Sequence, residues 1–173
     1  SANTALGSYA GQAITTGASN VAIGYSALDA TTTASYNTAV GASALTTNTT
    51  GAGNVALGYN TLLLNTTGAN NVAIGTYALD ANTTANNNTA LGYGSLGANT
   101  TGTSNVAVGQ AALDANTTAN YNTAVGVNAL GANTTGTQNT SLGWGAGANS
   151  TTGSQNTYIG SAVAYAATNT GSY

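Results

Sequence analysis

Asn37-Thr38-Ala39-Val40-Gly41-Ala42-Ser43-Ala44-Leu45-Thr46-Thr47-Asn48-Thr49-Thr50-Gly51-Ala52-Gly53 decides the fold, because nearly the same residues come round again on either side of it. Its first residue recurs as Asn3, Asn20, Asn37, Asn54, Asn71, Asn88, Asn105, Asn122, Asn139 and Asn156, always at an interval of 17. Each Asn opens the formula Asn-(Thr/Val)-Ala-(Val/Ile/Leu)-Gly, in which only Ser141 and Tyr158 replace the Ala. The closing glycine is invariant within the chain and gives Gly24, Gly41, Gly58, Gly75, Gly92, Gly109 and Gly126 in the central units. The ninth position carries Leu28, Leu45, Leu62, Leu79, Leu96, Leu113 and Leu130, with Gly11, Gly147 and Ala164 in the outer units. A Thr-Thr pair follows, usually as Asn-Thr-Thr.

A regular period of this length is the signature of a stacked repeat, in which each unit buries its inner face only against its neighbours. A helical reading in double units is rejected, because every unit holds Gly, Thr and Asn and none holds Lys, Glu or Arg. The second and fourth positions of the formula are apolar or β-branched, which is the alternation of a strand. On that pattern Val21 and Ile23 are expected to point inward, and the Leu of the ninth position is expected to face the same interior from a second short strand. The closing glycine makes the corner, and Asn-Thr-Thr-Gly makes the return. The expected fold is all-β: a parallel β-solenoid of ten 17-residue coils forming a single domain over residues 1–173. Coils stacked at about 4.8 Å would form a rod about 48 Å long. Asn20, Asn37, Asn54, Asn71, Asn88, Asn105 and Asn122 are expected to hydrogen-bond up the stack as identical amides do in cross-β arrays. Removing one of the glycines should damage one rung.

Composition agrees with stacking and excludes much else. Lys, Arg, His, Pro, Cys, Met and Phe are absent, and Asp29, Asp80 and Asp114 are the only charged side chains. A chain so poor in large apolar residues cannot fill a thick core, whereas a thin coil needs only Ala, Val, Thr and Leu. A net charge of −3 with no cation cannot neutralise phosphates, so neither nucleic acid nor anionic lipid is an expected partner. No apolar run approaches the roughly 18 residues of a membrane span. The chain begins at Ser1 without a signal-like segment, which reads as a mature product or an excised piece.

The formula Asn-Val-Ala-Ile-Gly resembles the head repeats of trimeric autotransporter adhesins. Asn37-Thr38-Ala39-Val40-Gly41, Ala44-Leu45 and Asn48-Thr49-Thr50-Gly51 are similar to arrays of phage tail fibres and bacterial surface fibres. The likeness spans all ten coils, although the coil is longer than the usual adhesin-head repeat and no neck, stalk, anchor or chaperone domain is expected within these 173 residues. The resemblance implies a left-handed β-roll, a homotrimer, and a place outside the cell, on a cell surface or on a virion fibre. The column of Ala5, Ala22 and Ala39 is expected to let faces of neighbouring chains approach closely.

Catalysis finds no support in the inventory. No His, Lys, Arg or Cys exists to activate a Ser or Thr, and the glycines lack the Lys of a phosphate loop. Asp80 and Asp114 share the tenth coil position two rungs apart, about 9.6 Å. That is too far for a common calcium shell, and a glycosidase pair would need a cleft between them. A solvated face is the expectation, with no metal and no cofactor.

Tyr25, Tyr59, Tyr93 and Trp144 recur at the sixth position, with Tyr36 and Tyr121 at the seventeenth. They are expected to form a partly exposed ridge, suited to sugar rings, to a host-surface protein or to contacts between chains. Ice binding by the Thr pairs is a further alternative, weakened because adjacent strand residues face opposite ways and leave one Thr file outward. Asn48, Asn65, Asn82, Asn99, Asn116 and Asn133 sit in glycosylation sequons, yet glycans about 4.8 Å apart would collide. The expected function is a non-catalytic fibre or adhesin segment that self-associates as a homotrimer or as a head-to-tail filament. The alternative is a ligand-binding solenoid for ice or glycan.

Overall fold

The computed structural model describes residues 2–164; Ser1 and residues 165–173 of the expected single domain lie outside the described residues. Each coil contributes one three-residue strand. These are β1 (Thr4–Leu6), β2 (Val21–Ile23), β3 (Thr38–Val40), β4 (Val55–Leu57), β5 (Val72–Ile74), β6 (Thr89–Leu91), β7 (Val106–Val108), β8 (Thr123–Val125), β9 (Thr140–Leu142) and β10 (Thr157–Ile159). The ten strands form one parallel sheet in chain order. Its register is constant, with Ala56 beside Ala73 and Ala73 beside Ala90. The fold is a β-solenoid of stacked 17-residue coils, and no helix occurs among the described residues.

Hydrogen bonds between coils continue well beyond the strands. In the coil that starts at Asn71, Val72 N–H donates to Asn88 O at 2.8 Å and Gly75 N–H to Leu57 O at 2.8 Å. Tyr77 N–H donates to Tyr59 O, Leu79 N–H to Ser95 O and Thr83 N–H to Thr100 O, each at 3.1 Å. Alternate amides thus reach up and down the stack, which satisfies the backbone of a segment with little regular secondary structure of its own.

The interior holds the Leu of the ninth position together with the Ala of the third and eighth, all fully buried in the central coils. This reverses the expected phase of the strand. Val21 and Ile23 are half-buried and face outward, while Ala22 between them is buried, and the same pattern holds from β2 through β8 except that Leu91 is exposed. The reason is width. One Leu reaching across so thin a coil leaves room for only a methyl opposite, so the strand turns Ala inward and the larger aliphatic residues outward. The column of Ala5, Ala22 and Ala39 therefore does not offer a contact face, since from Ala22 onward it is closed inside the rod.

The Leu of the ninth position does not lie on a second strand either. Leu28, Leu45, Leu62, Leu79, Leu96, Leu113 and Leu130 have φ between 50° and 52°, and the seventh and seventeenth positions are left-handed as well, as at Tyr77 (φ 59°) and Asn87 (φ 61°). Alternating left-handed and ordinary residues fold the chain into a tight arc that aims the Leu inward. Each left-handed residue costs about 1–2 kcal/mol, offset by the inter-coil hydrogen bonds and by about 1.5–3 kcal/mol for each buried Leu.

Two asparagine files stiffen the interior. In the first position, Asn71 Nδ2 donates to Ala85 O of its own coil at 2.8 Å, and its Oδ1 accepts the backbone N–H of Asn88 at 3.0 Å. The same arrangement runs through Asn20, Asn37, Asn54, Asn88, Asn105 and Asn122. The second file, at the twelfth position, comprises Asn48, Asn65, Asn82, Asn99, Asn116 and Asn133, all with no exposed surface. Asn65 Nδ2 donates to Asn48 Oδ1 at 2.9 Å and to Gly68 O at 3.0 Å, the same carbonyl that accepts Asn54 Nδ2 at 2.8 Å. Both files thus converge on the carbonyl of the fifteenth position. Burial, more than crowding between rungs, removes the sequons as glycosylation sites.

The outer coils adjust their interiors. Gly11 replaces Leu, and a Cβ there would lie 3.0 Å from Ile14 Cδ1, so Ile14 fills the gap from the twelfth position, which holds Asn only in the coils from Asn48 to Asn133. Gly147 also replaces Leu, and there the ring of Tyr158 occupies the space, 2.6 Å from where a Cβ would lie. Tyr158 hydroxyl donates to Ser150 Oγ at 3.3 Å. With Ser150 in place of Asn, the second file ends at Asn133, whose buried Oδ1 has no hydrogen-bond partner.

The corner glycines sit at φ between 126° and 139°. At Gly75 a Cβ would stand 2.6 Å from Gly92 O, so an alanine would push two coils apart as well as straining the backbone. Gly94 is also left-handed (φ 62°), but its nearest neighbour would be Asp114 Oδ1 at 3.9 Å, and Ala111 holds the equivalent place at φ 53°. Gly75→Ala is therefore expected to cost about 3 kcal/mol or more and Gly94→Ala about 1 kcal/mol. Chemical denaturation of the two variants side by side measures the contrast.

Candidate functional site

The described residues enclose no pocket, and four features of the outer surface follow the coil period. The first is the outward side of the sheet. Its fourth-position column runs Ile23, Val40, Leu57, Ile74, Leu91, Val108, Val125 and Leu142, bordered by the Val and Thr residues of the second position. Leu142 and Ile159 remain 50% and 65% exposed, and the column carries no charge.

The second feature is the aromatic ridge. Tyr25, Tyr59, Tyr93 and Trp144 are 57%, 49%, 57% and 55% exposed, so half of each side chain is available to a partner. The sixth position follows the corner glycine, and the turn there swings its side chain clear of the rod. Tyr77, from the seventh position, joins the ridge in a way that sixth-position spacing does not show. Its ring meets Tyr59 edge to face at 5.6 Å and Tyr93 at 5.9 Å, and Tyr9 meets Tyr25 likewise at 5.7 Å. Tyr36 and Tyr121, at the seventeenth position, are exposed on another part of the coil.

The third feature is acidic. Asp80 and Asp114 flank Gly97, the intervening residue of the same position. A Cβ on Gly97 would lie 2.9 Å from Asp114 Oδ1 and 3.6 Å from Asp80 Oδ1, so the two side chains lean together over the gap, closer than the rise between their coils. Burial lifts the Asp80 carboxyl above the ordinary carboxylate range; the N–H groups of Asp80 and Ala81 oppose this, and the charge of Asp114 adds to it. Partial burial lifts Asp114 also. No third acidic or metal-ligating side chain joins them among the described residues.

The fourth feature is threonine. The thirteenth-position hydroxyls are engaged within the rod, as where Thr66 Oγ1 donates to Thr83 O at 3.0 Å and Thr83 Oγ1 to Thr100 O at 3.1 Å. Thr50, Thr67, Thr84, Thr101 and their equivalents at the fourteenth position are exposed, which leaves a single outward file.

No family model matches the chain, and no curated protein or solved structure matches it.

The acidic pair gives the rod an unusual response to pH. A carboxyl whose pKa is higher in the folded chain binds its proton more tightly there, so stability rises as pH falls through the carboxylate range and is lost as pH rises again. With His and the other cations absent, little opposes this trend. The melting temperature is expected to increase between about pH 7 and about pH 3. The double substitution Asp80→Asn and Asp114→Asn should remove most of the increase, as thermal melts followed by circular dichroism will show.

Proposed function

We propose that the chain is a non-catalytic segment of an extracellular fibre or adhesin head, in which rods associate side by side through the outward face of the sheet. The observation that carries this reading is the outward-turned aliphatic column. Ten strands stacked at about 4.8 Å, each about 10 Å wide, present on the order of 480 Å² of uncharged, largely aliphatic surface. Patches of this size are among the largest that single chains expose and are often functional, and three copies turning them toward a common axis would bury on the order of 1,400 Å² together, above the roughly 1,000 Å² of a specific interface. The likeness to adhesin-head and tail-fibre repeats favours three copies. The absence of Lys and Arg leaves no site for trypsin-like proteases, which suits a surface-exposed shaft.

Head-to-tail stacking is the weaker form of the same reading, because the outer coils replace the regular Leu and Asn of the interior with Gly11, Ile14, Gly147 and Ser150. Ice binding is weaker still. The Thr pairs offer one outward file, and the outward threonines of the second position are interrupted by Val21, Val55, Val72 and Val106, where a lattice match needs a continuous plane.

Sedimentation equilibrium tests the proposal. The chain should run at about three times its 16.6 kDa mass, and Val72→Asp with Ile74→Asp should release a folded monomer, since both side chains lie outside the core. A wild-type monomer at all concentrations, with no assembly in electron micrographs, refutes the fibre reading.

A further inference from the structure

The tyrosine run and the acidic gap belong to the same few coils. Tyr59, Tyr77 and Tyr93 come from three consecutive coils, Asp80 follows Tyr77 in its coil, and Gly94 and Gly97 follow Tyr93. Asp114 Oδ1 approaches both glycines, at 3.9 Å and 2.9 Å from where their Cβ atoms would stand. Half-exposed aromatic rings and carboxylate oxygens therefore come together around Gly94 and Gly97 on one part of the surface.

We propose that this patch binds a neutral, linear, β-linked polysaccharide laid along the rod axis, with Tyr59 and Tyr93 stacking on sugar rings and Asp80 and Asp114 accepting their hydroxyl hydrogens. A pyranose offers an apolar C–H face and a polar hydroxyl edge, and the patch supplies a partner for each. Aromatic rings take the apolar face at small entropic cost, and ionised carboxylates are the strongest hydroxyl acceptors among side chains. The T-shaped contacts of Tyr77 with both rings hold the platforms in place before ligand arrives.

Spacing and charge narrow the ligand. Tyr25, Tyr59 and Tyr93 recur every second coil, about 9.6 Å apart, close to the repeat of two sugar rings in an extended β-1,4-linked chain. Such a chain would place alternate rings over successive tyrosines. The ridge lies open on the surface, with half of each Tyr59 and Tyr93 side chain exposed, which suits a polymer lying along it. Without any Lys, Arg or His in the chain, acidic polysaccharides are repelled by Asp80 and Asp114. A protein partner is the poorer fit, because Asn60, Thr76, Gly94 and the two carboxylates break up the apolar surface beside the ridge, to which Leu64 adds one exposed aliphatic side chain.

Calorimetric titration of the full chain with cellohexaose, chitohexaose, mannohexaose and, as an acidic control, hexagalacturonate tests the proposal. At least one neutral hexamer should bind, its disaccharide should bind about tenfold more weakly or worse, and the acidic hexamer should not bind. Tyr59→Ala and Tyr93→Ala should each weaken the neutral hexamer about tenfold, with circular dichroism unchanged. The proposal is overturned if no neutral hexamer binds at millimolar concentration, or if binding survives the double tyrosine substitution. It is equally overturned if the tyrosine variants change the sedimenting mass and nothing else, which would make the ridge a contact between copies. The site lies on a single rod and does not depend on rods associating, so its failure leaves the mass measured for the sheet-face variants to decide the fibre reading separately.

Discussion

Every layer of this rod depends on main-chain amides finding acceptors one coil away, a condition that a fixed coil length alone can meet. A one-residue insertion between Val72 and Gly75 would carry Val72 N–H out of step with Asn88 O and Gly75 N–H out of step with Leu57 O together. The asparagines of the first position enforce the same register from inside. Each ties the beginning of its coil to the carbonyl near its end and hands its own oxygen to the next coil, as Asn54 does with Gly68 and Asn71. Buried amides satisfied in this way fix a unique alignment, since slipping by one residue would strand several polar groups in an apolar interior.

The second constraint is cross-section. A coil that encloses one leucine has no room for a second large side chain, so the usual rule that the bigger apolar residues go inward fails in the strands. Ala73 faces the core, while Val72 and Ile74 are left half-covered on the outside. The same narrowness explains the outer coils. Where Gly11 and Gly147 omit the leucine, Ile14 and Tyr158 enter from other positions to refill the volume.

The repeat, the parallel stacking, the corner glycines and the first asparagine file were legible in the sequence, because each rests on periodic identity. Phase was not. Alternation in Val21-Ala22-Ile23 shows that two sets of side chains diverge, but only the width of the coil decides which set is enclosed. The left-handed leucines carry no local mark either; the clue lay in Gly11 and Gly147 at the equivalent place, and in Asn60, Asn128 and Gly94 at the seventh position. Asn48 and its equivalents looked like surface sequons because a short motif carries no information about burial. Around the ridge, Tyr25, Tyr59 and Tyr93 could be found by spacing. Tyr77 could not, since its contact with them requires knowing that the seventh position of one coil meets the sixth of its neighbours, and the leaning of Asp80 and Asp114 over Gly97 depends on side-chain directions that spacing does not encode.

The direction of the inter-coil bonds sets how such a rod bears load. They run parallel to the long axis, so a pull on its two ends loads the layers in series and each carries the whole force. The rod should then part by peeling one layer from an end, at a force set by a single layer and independent of how many are stacked. Sideways bending instead meets all layers of the sheet at once. Lengthening the array would thus extend its reach without making it stronger in tension.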